Sequence, residues 1–145
     1  LSQFQFNLFQ GGMPCKYSSI LPHTDPAFCA FQIYLNLPEE CLGGTNFYKN
    51  IECDIDHNVE YFDSDFKRTE KYWKLNNYLN EKEKNNFNTI LDSKQIDPNE
   101  WENIYNVEMK YNRFVLYFSC IFHTVYIEKE WYQDPKRIGL VGFLK

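Results

Sequence analysis

The sequence predicts a mainly β domain carrying a largely helical insert, and three observations lead there. Short alternating or apolar runs fill residues 1–48, among them "FQFNLF", "SSILPH", "AFQIYLNL" and "GGTNFY". The same texture returns in residues 107–145 as "VEMKY", "RFVLYFSCIFHTVYI" and "RIGLVGFL". Between them, residues 49–106 are polar, rich in Asn and Lys, and poor in β-branched residues. Gly and Pro punctuate the outer zones as turns separate strands. Two β halves around an insert imply one all-β body, a sandwich or a jelly roll.

Within the insert, "FKRTEKYWKLNNYLNEKEKNNF" places Tyr72, Leu75 and Leu79 at spacings of three to four, which predicts an amphipathic helix. "DPNEWENIY" predicts a second helix, with Asp97 as N-cap, Pro98 at the first position and Glu100 closing a capping box. The charged runs of the insert read as a solvated face. Gly43 and Gly44 mark a turn or bulge where the backbone passes tightly.

A chain of 145 residues is expected to form one domain, residues 1–145, with enough buried surface for a real core. The net charge of −5 argues against a general nucleic-acid binder, which would carry a basic stripe. No apolar run is long enough for a membrane span. The start, "LSQFQFNLFQ", lacks the basic and apolar regions of a signal peptide and an initiator Met, so the chain reads as a trimmed or partial one. Five cysteines (15, 29, 41, 53 and 120) without a CxxC pair favour reduced thiols packed as small core residues, and a cytoplasmic setting. Nothing in the sequence indicates an oligomeric state.

Chemistry concentrates in few residues. "PHTD" sets His23 two positions before Asp25, in a chain with only three histidines. Such a tripeptide is either a surface turn with an ion pair or two ligands of a metal site. His123, in "YFSCIFHTVYI", points into a core or a cavity, as a satisfied core histidine or as a third ligand. Two imidazoles and one carboxylate on one face form the facial triad of mononuclear non-haem iron. Arginine is scarce, three residues against twelve lysines, and one of the three, Arg137, opens the last apolar strand fourteen residues after His123. A guanidinium at a buried strand start needs an anion: Asp134 or Glu128, or the carboxylate of a bound keto acid.

In that order, "PHTD", "YLNLPEECLGGTNFY", "FH" and "RIGLVGF" resemble the core of Fe(II)/2-oxoglutarate-dependent oxygenases, with the prolyl-4-hydroxylase-like branch and related uncharacterised microbial proteins the nearest likeness. The resemblance covers residues 17–48 and 107–145. It implies a double-stranded β-helix (jelly roll), with His23, Asp25 and His123 as iron ligands and Arg137 as the clamp on 2-oxoglutarate. Tyr34 falls where the family often hydrogen-bonds the same carboxylate; its other reading is a half-buried strand tyrosine. The implied reaction consumes O2 and 2-oxoglutarate, releases succinate and CO2, and hydroxylates a small molecule or a protein side chain. Two departures stand out. The interval from His123 to Arg137 is longer than the family's, so "EKEWYQDPK" has to form an extended turn. The tyrosine that often precedes the His-x-Asp strand is matched only loosely by Tyr17.

The rival readings are a non-catalytic jelly-roll binding module and a metalloenzyme of the same fold that does not use 2-oxoglutarate. The insert is expected to lie near the barrel mouth as a lid or pocket wall, with Tyr72, Trp73, Trp101 and Tyr105 lining the pocket or packing the insert onto the barrel. His57 sits in an acidic stretch without regular ligand spacing and reads as part of a solvated loop.

Overall fold

A computed structural model describes residues 3–58, 65, 69–84 and 88–145. The chain is mainly β. In order it forms β1 (Gln3–Phe9), β2 (Pro14–Lys16), β3 (Cys29–Tyr34), β4 (Gly44–Asn50), α1 (Glu70–Lys84), β5 (Asn88–Ile90), β6 (Trp101–Glu108), β7 (Phe114–Phe118), β8 (His123–Tyr126) and β9 (Arg137–Leu144). A four-stranded sheet has the order β1-β9-β3-β7 and a three-stranded sheet the order β6-β4-β8, while β2 and β5 pair separately. All pairings are antiparallel.

Alternation along the four-stranded sheet sorts its residues into two sets. Gln5, Asn7, Gln32 and Arg137 face inward and line a cavity together with Thr45 and His123 of the other sheet. Tyr34 crosses the same interior, its hydroxyl 2.7 Å from Thr45 Oγ1. The opposite set carries Phe4 paired to Gly142, which is in turn paired to Phe31. A side chain at position 142 would run into the Phe31 ring, so glycine there lets phenylalanine lie across the central strands.

The expected strand "SSILPH" is not a strand. Tyr17–Ser19 form a single 3-10 turn, and Ile20 and Leu21 are core residues in irregular backbone. Pro22 has no N–H to give a ladder, so the apolar run packs without pairing. Only His23 forms a bridge, with His123. The long run "RFVLYFSCIFHTVYI" is likewise two strands in different sheets, since the chain turns at Ser119 and Cys120, where Ile121 N–H donates to Phe118 O at 3.1 Å.

The first expected helix is present as α1; the second is not. Asp97 does cap a turn, accepting from Asn99 N–H at 2.8 Å, and Glu100 and Trp101 N–H donate to Asp97 O. The chain then enters β6, which pairs with β4 from Asn50↔Trp101 to Gly44↔Glu108. A capping box is a local preference worth about 1 kcal/mol, and pairing a whole strand while burying a tryptophan outweighs it. The insert therefore narrows to the residues between Asn50 and Trp101.

Helix α1 docks on the outer side of the three-stranded sheet. Leu75 and Tyr78 join Tyr48, Trp101 and Phe122 in one buried cluster. The Trp101 indole N–H donates to Tyr78 Oη at 2.9 Å, and its ring meets those of Tyr78 and Phe122 edge-on. Trp101→Ala is expected to lower stability by about 3–5 kcal/mol, read as a shift of the urea midpoint. A loss under about 1 kcal/mol, the scale of a surface change, would mean that α1 is held by other contacts. Trp73 and Tyr105 are 57% and 65% exposed, so they neither line the inner cavity nor pack the insert onto the sheets.

Candidate metal centre

The centre begins with the backbone. His23 N–H donates to His123 O and His123 N–H to His23 O, both at 3.0 Å, so two residues far apart in sequence face each other as a hydrogen-bonded pair. Their rings lie 4.9 Å apart. After Thr24 the chain bends back: Asp25 N–H donates to Ser119 O at 3.0 Å and Ala27 N–H to Asp25 O at 2.8 Å. The bend brings the Asp25 carboxylate to the same spot, with Oδ2 3.2 Å from His123 Nε2. One ligand atom each from His23, Asp25 and His123 lies within 4.8 Å of the others.

Both imidazoles are oriented the same way. His23 Nδ1 lies 3.1 Å from Leu21 O and His123 Nδ1 2.8 Å from Ile121 O. A carbonyl can only accept, so each Nδ1 carries the proton, and each Nε2 of the neutral ring presents a lone pair. At His123 that lone pair faces a carboxylate oxygen. Two acceptors at 3.2 Å repel unless a cation, proton or metal, lies between them. Histidine held through its far nitrogen by a carbonyl is also the usual outer support of a metal ligand. Ligand atoms about 2.1 Å from one ion and on one face of it stand about 3.0 Å apart, so binding would draw the widest pair, up to 4.8 Å apart, inward by more than about 1 Å. The donor set, two nitrogens and one oxygen, suits non-haem iron. The residues fit the ion.

The electrostatics favour the metal-ready protonation state. The His23 ring has an accessible edge, but the protein packed around it lowers its pKa from the usual histidine value, with the neighbouring His123 adding to the effect. Burial works to raise the Asp25 pKa; at the acidic pH where the carboxyl titrates, a protonated His123 can donate to it, and this bond with the charge of the protonated imidazoles outweighs burial and holds the carboxyl below its usual range. At neutral pH, His23 is neutral and Asp25 ionised.

The cavity is about 210 Å³ and runs from this triad to Arg137. That is below the roughly 300–1,000 Å³ of pockets for drug-sized ligands and suits a small one. Arg137 is 2% exposed. One guanidinium nitrogen donates to Gly44 O at 3.0 Å, and the group stacks between Phe9 and Tyr34, 5.6 and 5.5 Å from their ring centres. Its Nε has no partner, and among the described residues no carboxylate pairs with it. The protein candidates raised by the sequence are engaged elsewhere or apart: Glu128 pairs with Lys94, and Asp134 forms no ion pair with Arg137. Thr124 pairs with Asn46 and so turns its unpartnered hydroxyl to the outer face of the three-stranded sheet, away from the inward His123 and Val125. A buried guanidinium with spare hydrogen-bonding capacity on the cavity wall is a place for a polar, anionic ligand.

The structure brings His23, Asp25, His123 and Arg137 to one cavity. Tyr34 does not reach the cavity wall. It is fully buried behind Thr45, to which its hydroxyl is bonded, and it touches the site through Arg137. The tyrosine on the wall is Tyr117, edge-on to His123 with ring centres 4.6 Å apart. Burial and the nearby Asp25 charge push its hydroxyl pKa well up, so it stays a donor. Tyr17 packs against the neighbouring core cluster, whereas Ser19 reaches the cavity. The residues that carry the extra interval before Arg137, 127–136, form turns, with Tyr132 in the left-handed region and its hydroxyl 2.6 Å from Leu42 O. His57 lies outside the centre, bridged to Ile121 and paired with Asp56.

Sequence reading missed Tyr117, Gln5, Asn7 and Gln32. Their signal was strand alternation: each lies an even number of positions from an inward residue of its own strand, but inward and outward are assigned only once a register is known.

A second cavity of about 240 Å³ lies beside His23, walled by Leu79, Lys82 and Glu83 of α1 with Leu21, Pro22 and Phe122. The insert helix therefore reaches the neighbourhood of the triad. No helix among the described residues is long and apolar enough to cross a membrane.

A family model described as "Family of unknown function (DUF6445)" matches residues 13–139. No curated protein and no solved structure matches the chain.

Proposed function

The chain belongs to the DUF6445 family, whose function is unknown, and for it we propose an Fe(II)- and 2-oxoglutarate-dependent dioxygenase that hydroxylates a small molecule or a protein side chain. One observation carries the reading: a single small cavity has two histidines and an aspartate at one end and, at the other, a buried arginine without a carboxylate partner among the described residues. A metal site alone would account for the first end only. A keto dicarboxylate accounts for both, with one end for the metal and the other for the guanidinium.

In this reading His23, Asp25 and His123 hold Fe(II). The metal, with 2-oxoglutarate and O2, supplies the oxidising chemistry that turns 2-oxoglutarate into succinate and CO2 and places one oxygen atom on a substrate C–H bond. The chain does the rest. Leu21 O and Ile121 O keep both Nε2 lone pairs turned to the centre. Arg137, fixed by Gly44 O and two aromatic faces, binds the distal carboxylate through the nitrogens left over, and Tyr117 offers a hydroxyl donor on the cavity wall. The apolar walls, Phe9 beside Arg137 with Val141 and Phe143 further along β9, exclude water from the cavity. The cavity beside His23, under α1, is where we place the substrate.

The fold reading is a jelly roll. Counting the His23 bridge as a short second strand gives eight strands in two sheets, β1-β9-β3-β7 and β6-β4-β8-His23, with successive strands mostly changing sheets. That supports a double-stranded β-helix whose rim between β6 and β7 is open.

The test is anaerobic titration of Fe(II) and then 2-oxoglutarate into the metal-free protein, watching the weak visible charge-transfer band of the chelate. A saturable band needing both additions is expected. A folded, iron-loaded protein that gives no band would favour a metalloenzyme without 2-oxoglutarate. A protein that binds no iron would leave the non-catalytic binding module.

A further inference from the structure

The four-stranded sheet is polar on the side facing the cavity and apolar on the side facing away. On β1 the outward residues are Phe4, Phe6 and Leu8, 59%, 70% and 62% exposed; on β7 they are Phe114, Leu116 and Phe118, 56%, 54% and 55% exposed. The strands between continue the surface, because Phe6 pairs with Leu140, and Leu140 with Ile33, which pairs with Phe114. Rings already meet across it, Phe4 with Phe31 at 5.7 Å and Phe31 with Phe114 at 5.4 Å. No outward residue of these strands is charged. The other sheet has α1 packed against one end of its outer side, at Tyr48 and Trp101. Among the described residues, nothing covers this one.

A soluble monomer rarely shows an apolar patch above roughly 300–600 Å². Six large side chains of about 150–250 Å² each, all more than half open, present on the order of 700 Å², near the roughly 800 Å² that each partner gives to a standard stable interface. We propose that a second copy of this chain docks here, the outer faces of two four-stranded sheets packing on each other across a two-fold axis. The absence of charge selects a copy of itself as occupant. In a two-fold interface each residue meets the same patch, so any net charge would be set against its like, and a charge-free face is self-compatible. Two twisted sheets meeting face to face have a ready packing mode, about 10 Å apart at about 30°. The arrangement turns both cavities outward, so it closes neither metal centre.

Sedimentation equilibrium on the whole chain, metal-free and at several concentrations, tests this. Wild type is expected as a dimer, and Phe6→Lys with Leu116→Lys as a monomer, its dimer dissociation constant raised about 100-fold or more. Neither residue lies in the cavity or the core, so unchanged near-ultraviolet dichroism certifies the fold of the variant without reference to iron or 2-oxoglutarate. A monomeric wild type overturns the proposal. So does a dimer that the two lysines leave intact, which would place the contact elsewhere. A wild type that is monomeric and floats with neutral phosphatidylcholine vesicles overturns it in favour of a lipid surface.

Discussion

His123→Ala is expected to remove Fe(II) binding and, with it, 2-oxoglutarate consumption, each by more than about 100-fold, since even the outer supports of metal ligands are worth 10–100-fold. The residue gives the centre its only direct contact to Asp25, at 3.2 Å, and it is anchored by both backbone hydrogen bonds to His23 and a side-chain bond to Ile121 O. The backbone bonds survive the substitution, so the variant keeps the strand pairing that forms the cavity. Iron content after desalting and succinate release are the two readings. Wild-type iron content in the variant would sink the triad, whatever the fate of activity, because two of the three ligands do not make an equally tight open site. Retained iron with lost activity would instead make His123 a wall of the cavity.

Arg137→Met separates function from stability with opposite signs. The guanidinium is fully buried with one hydrogen bond to Gly44 O, an unpartnered Nε and no carboxylate among the described residues. Burial lowers its pKa, the mark of a charge whose surroundings do not repay its desolvation. An arginine held in a paired, structural role would cost about 3–5 kcal/mol when removed. Here the metal-free protein is expected to melt no lower than wild type, since methionine fills the stem's volume and removes an uncompensated charge. The same variant is expected to need at least about tenfold more 2-oxoglutarate for half-saturation of the visible band, the loss of one charge-assisted contact of about 1.5–3 kcal/mol. A strongly destabilised variant with unchanged 2-oxoglutarate demand would return Arg137 to the scaffold and leave the cavity without its anion.

Much of this centre was legible because its chemistry rests on rare residue types. With three histidines and three arginines in the chain, few combinations were open, and "PHTD", His123 and Arg137 are the ones brought to one cavity. The first helix was legible as well, since Leu75 and Leu79 sit one turn apart on the face that meets the sheet. What failed were features settled by partners far along the chain. "DPNEWENIY" obeys helix-start rules in its first four residues, but β4 offers a whole edge to the remainder, and Trp101 finds its place beside Tyr78 and Phe122. "SSILPH" has the composition of a strand and no ladder to join until His23. Tyr34 and Tyr117 are both strand tyrosines next to apolar residues; which of them meets the cavity depends on register across three strands, and their own neighbours in sequence carry no sign of it.

The reciprocal hydrogen bonds between His23 and His123 have a consequence for persistence. They join the segment before β3 to the start of β8 through a single isolated bridge, inside a frame that the β1–β9 and β3–β7 pairings already close. Such a bridge can open locally while the strands around it stay paired. Under the proposed metal binding, an ion held by both side chains and by Asp25 would act as a clasp on that seam. It binds the closed form alone, so it withdraws population from the opened one in proportion to its concentration over its dissociation constant. Protease cleavage near His23 is therefore expected to slow as metal is added, and the residues that would do the chemistry would also guard this seam.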